Sequence, residues 1–192
     1  MPLNLPNILT ILRIVAIPLM LFLFWLPSGV IAAGDRNLAA ALLFSAAAIT
    51  DLIDGWLARR WGQTSAFGAF LDPVADKLIV CAALLVLLQL GRVDGLIALV
   101  IIGREITISA LREWMATIGA SRSVAVHSVG KLKTVAQMVA IALLLYDGSL
   151  LGFDVRTTAT VLVHVAAALT LWSMAYYLRR AWPYLRDGAN GA

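Results

Sequence analysis

Six apolar runs follow one another through the sequence, at about residues 8–27, 37–60, 73–90, 95–118, 131–147 and 155–178. A bilayer core takes roughly 20 residues of helix, whereas a barrel strand needs only about ten alternating ones. Backbone inside lipid must satisfy its own hydrogen bonds, which leaves helices or closed barrels. The run lengths select helices. Composition agrees, because 61% of the 192 residues are hydrophobic and only 14% are charged. That is too little polar surface for water to be the main solvent. The expectation is an all-α polytopic membrane protein with six transmembrane helices. A single membrane-embedded domain over residues 1–192 is expected, with a short interfacial segment 1–7 and a cytoplasmic C-terminal tail from about 179 to 192.

The N-terminus, Met1-Pro2-Leu3-Asn4-Leu5-Pro6, has no basic region, and Pro27-Ser28-Gly29 gives no small-x-small cleavage pattern. The first run is therefore expected to be a retained span. The single cysteine, Cys81, excludes an intramolecular disulfide. The net charge of +4 reads as anchoring charge facing anionic lipid, and no nucleic-acid partner is expected. Arg59, Arg60, Arg122, Lys131, Lys133, Arg179, Arg180 and Arg186 lie on one side of the predicted spans. Arg36, Arg92 and Arg156 lie on the other, beside Asp35, Asp94, Asp147 and Asp154. The positive-inside rule then predicts cytoplasmic termini, with segments 61–72 and 119–130 also cytoplasmic.

Four aspartates dominate the chemistry. Asp51 and Asp54 are three residues apart at the end of the second run; Asp72 and Asp76 are four apart at the start of the third. Each pair shares a helix face, and the segment between them suffices to reverse the chain so that the faces meet. Pro73 is expected in the first turn of the third helix, where its missing N–H costs nothing. Carboxylates at the edge of an apolar bundle repel one another and resist desolvation. Lys77 or Arg59 supplies part of the compensation, but hard oxygen donors at this density suit Mg²⁺ or Mn²⁺. Such an ion can clamp a pyrophosphate and stabilise charge during displacement. Gly55, Ala58 and Gly68 would let a phosphorylated group approach the backbone, or let helices pack closely. Arg59 would pair with phosphate or with the aspartates.

A second polar set lies later in the chain. Arg104 and Glu105 precede Arg112 and Glu113 by two turns, and Lys131 and Lys133 open the fifth run. Arginine within a span is costly and is usually paired or functional. Arg104, Arg112, Lys131 and Lys133 are expected to form a positive pocket for a second phosphate, with Arg–Glu bracing as the plainer alternative.

The pattern Asp51-x2-Asp54-Gly55-x2-Ala58-Arg59-x8-Gly68-x3-Asp72-x3-Asp76 resembles, in full, the signature of the CDP-alcohol phosphatidyltransferase family. Pro6-Asn7-x2-Thr10-x2-Arg13 and Arg104-Glu-Ile-Thr-Ile-Ser-Ala-Leu-Arg112 extend the likeness over nearly the whole chain. The resemblance implies the six-span fold of that family, often homodimeric, in the bacterial cytoplasmic (inner) membrane with the active site facing the cytoplasm. It implies that Asp51, Asp54, Asp72 and Asp76 bind the metal and that Asp76 is also the general base. Gly55, Ala58, Arg59 and Gly68 would hold the cytidine diphosphate part of CDP-diacylglycerol. Arg104, Arg112, Lys131 and Lys133 would hold the phosphate of sn-glycerol 3-phosphate. The implied products are phosphatidylglycerol phosphate and CMP. Transfer to inositol, serine or phosphatidylglycerol is the nearest alternative, and a cation-coupled transporter is the alternative from another class.

Overall fold

The structure is a computed structural model describing residues 5–27, 29–61, 66–120, 128–150 and 153–189. Its elements are α1 (Leu5–Trp25), α2 (Ala33–Trp61), α3 (Ala66–Gln89), α4 (Gly95–Thr117), α5 (Ser128–Tyr146), β1 (Ser149–Leu150), β2 (Phe153–Asp154) and α6 (Val155–Ala189). The fold is all-α apart from the two-residue strands, which pair antiparallel with Ser149 opposite Asp154. The chain divides into two compact units, Met1–Val93 with Met138–Thr160, and Asp94–Gln137 with Val161–Ala192.

In the first unit α1 packs on both α2 and α3. Helix α1 buries Thr10, Arg13 and Met20 while Leu12, Val15 and Phe22 face outward. A narrow buried stripe of this kind, polar at one end, is the reverse of a water-soluble amphipathic helix and suits a lipid solvent. The facing stripe of α2 is Asn37, Ala40, Ala41, Phe44 and Ala47. Its alanines let the neighbouring helix approach closely. Helix α3 buries Ala75, Ile79, Ala83 and Val86 and ends at Gly91, whose φ of 64° is left-handed. There Arg92 N–H donates to the Leu87 carbonyl at 2.9 Å and Gly91 N–H to that of Leu88 at 3.0 Å, a Schellman ending. The Arg92 side chain caps the end of α5, donating to the carbonyls of Leu144 and Leu145 at 3.1 and 3.0 Å and pairing with Asp147 at 3.0 Å.

In the second unit Asp94 caps α4, accepting from Leu96 N–H at 2.8 Å. Ile108, Leu111 and Met115 of α4 pack against Tyr177 and Ala181 of α6.

One expectation is corrected, and two helices run beyond the apolar runs. Helix α3 begins at Ala66, so Pro73 lies inside it and not in its first turn; only residues 62–65 separate α2 from α3. Proline forfeits one intrahelical bond, a loss that membrane helices absorb through neighbouring groups, and the apolar run Ala66-Phe-Gly-Ala-Phe-Leu71 carries the helix upstream of it. Helix α1 already includes Leu5, within the expected lead-in 1–7. Helix α6 runs through Arg179, Arg180 and Pro183 to Ala189, because the arginines are exposed while Tyr177 and Ala181 keep the buried face. Among the described residues two helices are long and apolar enough to cross a membrane, Ile8–Trp25 and Val155–Tyr184, with a shorter apolar stretch at Lys133–Tyr146. The charges of α2, α3 and α4 fall within their helices and lower the apolar character there.

Candidate active site

Thr10 and Arg13 sit one turn apart on the buried stripe of α1. The Thr10 hydroxyl donates to Asp72, and the Arg13 Nη1 donates to Asp76. Both steps run the same way along α1 and α3, so these helices are parallel neighbours. The same Nη1 lies 3.1 Å from Asp51 Oδ1 on α2. One guanidinium therefore draws together carboxylates from two helices. Arg13 is 2% exposed, whereas the Asp51 and Asp76 side chains are 35% and 36% exposed. The cation lies behind and the carboxylates open outward.

Of the other residues expected on this face, Gly68 is buried in α3. Gly55, Ala58, Arg59 and Asp54 lie on the helical backbone of α2, and their side chains fall outside the described residues. Among the described residues, and so without Asp54, no three His, Cys, Asp or Glu side chains form a group that could hold a metal. The donor set itself fits a hard divalent ion, being carboxylate oxygens brought together from α2 and α3.

The basic residues belong to the second unit. Arg104 Nη1 donates to Glu105 Oε1 at 2.6 Å, and Lys133 Nζ lies 3.8 Å from the same oxygen. Lys133 is 1% exposed. Among the described residues its Nζ, the Arg104 Nε and the Arg112 Nε are buried without a hydrogen-bond partner. Arg112 lies over the Tyr177 ring, 5.5 Å from its centre, a cation–π contact. Arg104, Arg112 and Lys133 thus present buried donors that want an acceptor. Lys131 is on α5, its side chain outside the described residues.

Sequence reasoning quoted Thr10 and Arg13 only within the resemblance and Glu105 only as a possible brace, gave none of them a role in the site, and did not place Tyr177 there. The available signal was an arginine three residues after a threonine inside an apolar helix, a position where a charge needs a partner.

The family model for CDP-alcohol phosphatidyltransferase matches residues 3–172. The chain belongs to the CDP-alcohol phosphatidyltransferase family. Relatives from Escherichia coli strain K12, Escherichia coli O157:H7 and Shigella flexneri serotype 5b are each 47% identical over 189 residues, covering 97% of this chain and 100% of theirs. Each of these relatives carries the name CDP-diacylglycerol–glycerol-3-phosphate 3-phosphatidyltransferase. Membership of this family, with the two long apolar helices, makes the protein a multi-pass protein of the bacterial inner membrane.

Proposed function

We propose that the protein transfers the phosphatidyl group of CDP-diacylglycerol to sn-glycerol 3-phosphate, giving phosphatidylglycerol phosphate and CMP. The observation that carries the reading is the convergence of Asp51, Asp72 and Asp76 on the Thr10–Arg13 turn, in a chain alike from end to end to relatives of that name. Asp51, Asp54, Asp72 and Asp76 would hold Mg²⁺ or Mn²⁺. When bound, the ion neutralises charge that gathers on the pyrophosphate. Gly55, Ala58 and Gly68 leave room for the cytidine diphosphate part, and Arg59 pairs with its phosphates. Asp76 takes the proton from the acceptor's primary hydroxyl. That oxygen bonds to the lipid-side phosphorus as the bond from this phosphorus to CMP breaks. Arg104, Arg112, Lys131 and Lys133 hold the acceptor's phosphate, and the unpartnered donors of the first, second and fourth support this assignment.

Six spans, with both termini in the cytoplasm, belong to the same reading. Helices α2, α3, α4 and α5 have 29, 24, 23 and 19 residues, and at 1.5 Å per residue even the last extends about 28 Å. A catalytic domain of the full 192 residues acting as a homodimer completes it. The test is alcohol-dependent CMP release by the purified protein in detergent with Mg²⁺. Release with glycerol 3-phosphate, and not with inositol, serine or phosphatidylglycerol, is expected. Release with another alcohol alone would reassign the acceptor. Ion flux in liposomes without CMP release would leave the transporter.

A further inference from the structure

We infer that Arg13 is a positioning residue for the transfer: it fixes the Asp76 carboxylate against that of Asp51, and so sets the oxygen that receives the acceptor's proton. This rests on the function proposed above. Arg13 is almost wholly buried on a helix many of whose large side chains face outward. An arginine at such a depth is costly and persists where it is paired and useful. Its single Nη1 reaches carboxylates on two different helices, and those carboxylates are the more exposed partners. The guanidinium therefore grips them from the bundle side and leaves their open side for a ligand. Thr10, one turn earlier, restrains Asp72 in the same manner. Neighbouring carboxylates repel each other, and each has rotamers to explore without a common anchor. A base displaced by about 1 Å can lose roughly a hundredfold in rate, so the anchor belongs to the chemistry of the site as well as to its packing. Supporting residues of this kind act by locking the rotamers of the groups that touch substrate.

A plain helix brace would show the same contacts, but it differs in what it does to a divalent ion. The Arg13 charge opposes any cation placed on Asp51 and Asp76. Arg13→Gln removes that opposition, so Mn²⁺ should bind equally well or more tightly while turnover falls. Loss of a brace would weaken both together. The experiment uses the full-length protein in detergent. It measures Mn²⁺ affinity by electron paramagnetic resonance without substrate, thermal unfolding, and steady-state CMP release with glycerol 3-phosphate. For Arg13→Gln, kcat is expected to fall at least tenfold, with the KM for CDP-diacylglycerol within twofold and the Mn²⁺ Kd unchanged or lower. Arg13→Lys keeps the charge but not the fork; it should recover part of kcat, and it decides the matter if the glutamine variant does not fold. A kcat within twofold of wild type for Arg13→Gln, or a parallel loss of Mn²⁺ affinity and turnover in either variant, would overturn the inference. Absence of CMP release by the wild-type protein would instead overturn the proposed function on which it stands.

Discussion

At the scale of single residues, the two polar constellations make separable demands on ligands. Buried Thr10 gives the half-buried Asp72 a hydrogen bond to a charged group, an interaction worth about 1.5–3 kcal/mol. Thr10→Val keeps the volume and removes the donor, so turnover should fall roughly tenfold, with Thr10→Ser restoring most of it; equal rates for all three in CMP-release kinetics would discount the bond. Lys133 is buried with no hydrogen-bond partner among the described residues, 3.8 Å from Glu105. In the proposed site Lys133→Met removes one donor to the acceptor phosphate. The KM for glycerol 3-phosphate should rise about tenfold or more, as loss of one charge-assisted contact implies, with that for CDP-diacylglycerol unchanged. An effect on the lipid substrate alone would count against the assignment. Asp51, Asp72, Asp76 and Arg104 could be picked out in the sequence because a charge in an apolar run is conspicuous. The grip of Arg13 could not, since its partners lie 38 and 63 residues on and only packing of α1 against α2 and α3 makes them neighbours.

At the scale of elements, helix existence was legible from apolar runs while helix ends were not. The start of α3 was expected at Pro73, where proline suits a first turn; the helix begins at Ala66, and the apolar residues 66–71 ahead of the aspartates belong to it. The β1–β2 pair was missed for the opposite reason: strands of two residues carry no periodic signal. The start of α6, directly after β2, has a pH signature. Asp154 accepts from Arg156 N–H at 3.1 Å and from the Thr157 hydroxyl at 3.0 Å, capping that helix. These hydrogen bonds, that to Arg156 foremost, hold its carboxyl below the ordinary 3.8. A depressed native value means the stabilisation is complete above the unfolded pKa and is lost as pH falls through the native one. Asp154→Asn keeps an acceptor oxygen but cannot titrate. The melting-temperature gap between wild type and this variant should be constant near neutral pH and close as pH falls below about 4. A gap independent of pH would mean that the charge contributes nothing to the cap.

At the scale of the whole molecule, the proposed orientation follows from where the basic residues fall, and the two substrates make it testable. CDP-diacylglycerol is a lipid and sn-glycerol 3-phosphate is a water-soluble anion, so the carboxylates must open at headgroup depth on the side that supplies the anion. The partly exposed Asp51 and Asp76 side chains lie toward the end of α2 and in the first half of α3. If both helices span, the end of α2 and the start of α3 lie at an interface. In the proposed orientation Arg59 and Arg60, at the adjoining end of α2, make that the cytoplasmic face. The six helices were legible in the number of apolar runs, whereas the division into two compact units was not, because α5 and α6 each contribute to both and no break in composition marks the change. Sealed inside-out inner-membrane vesicles carrying the protein and given external glycerol 3-phosphate should release CMP at once. Sealed right-side-out vesicles should do so only after detergent is added. Equal rates in intact right-side-out vesicles would place the site on the other face and require the helices to be threaded in the opposite sense, against the distribution of their arginines.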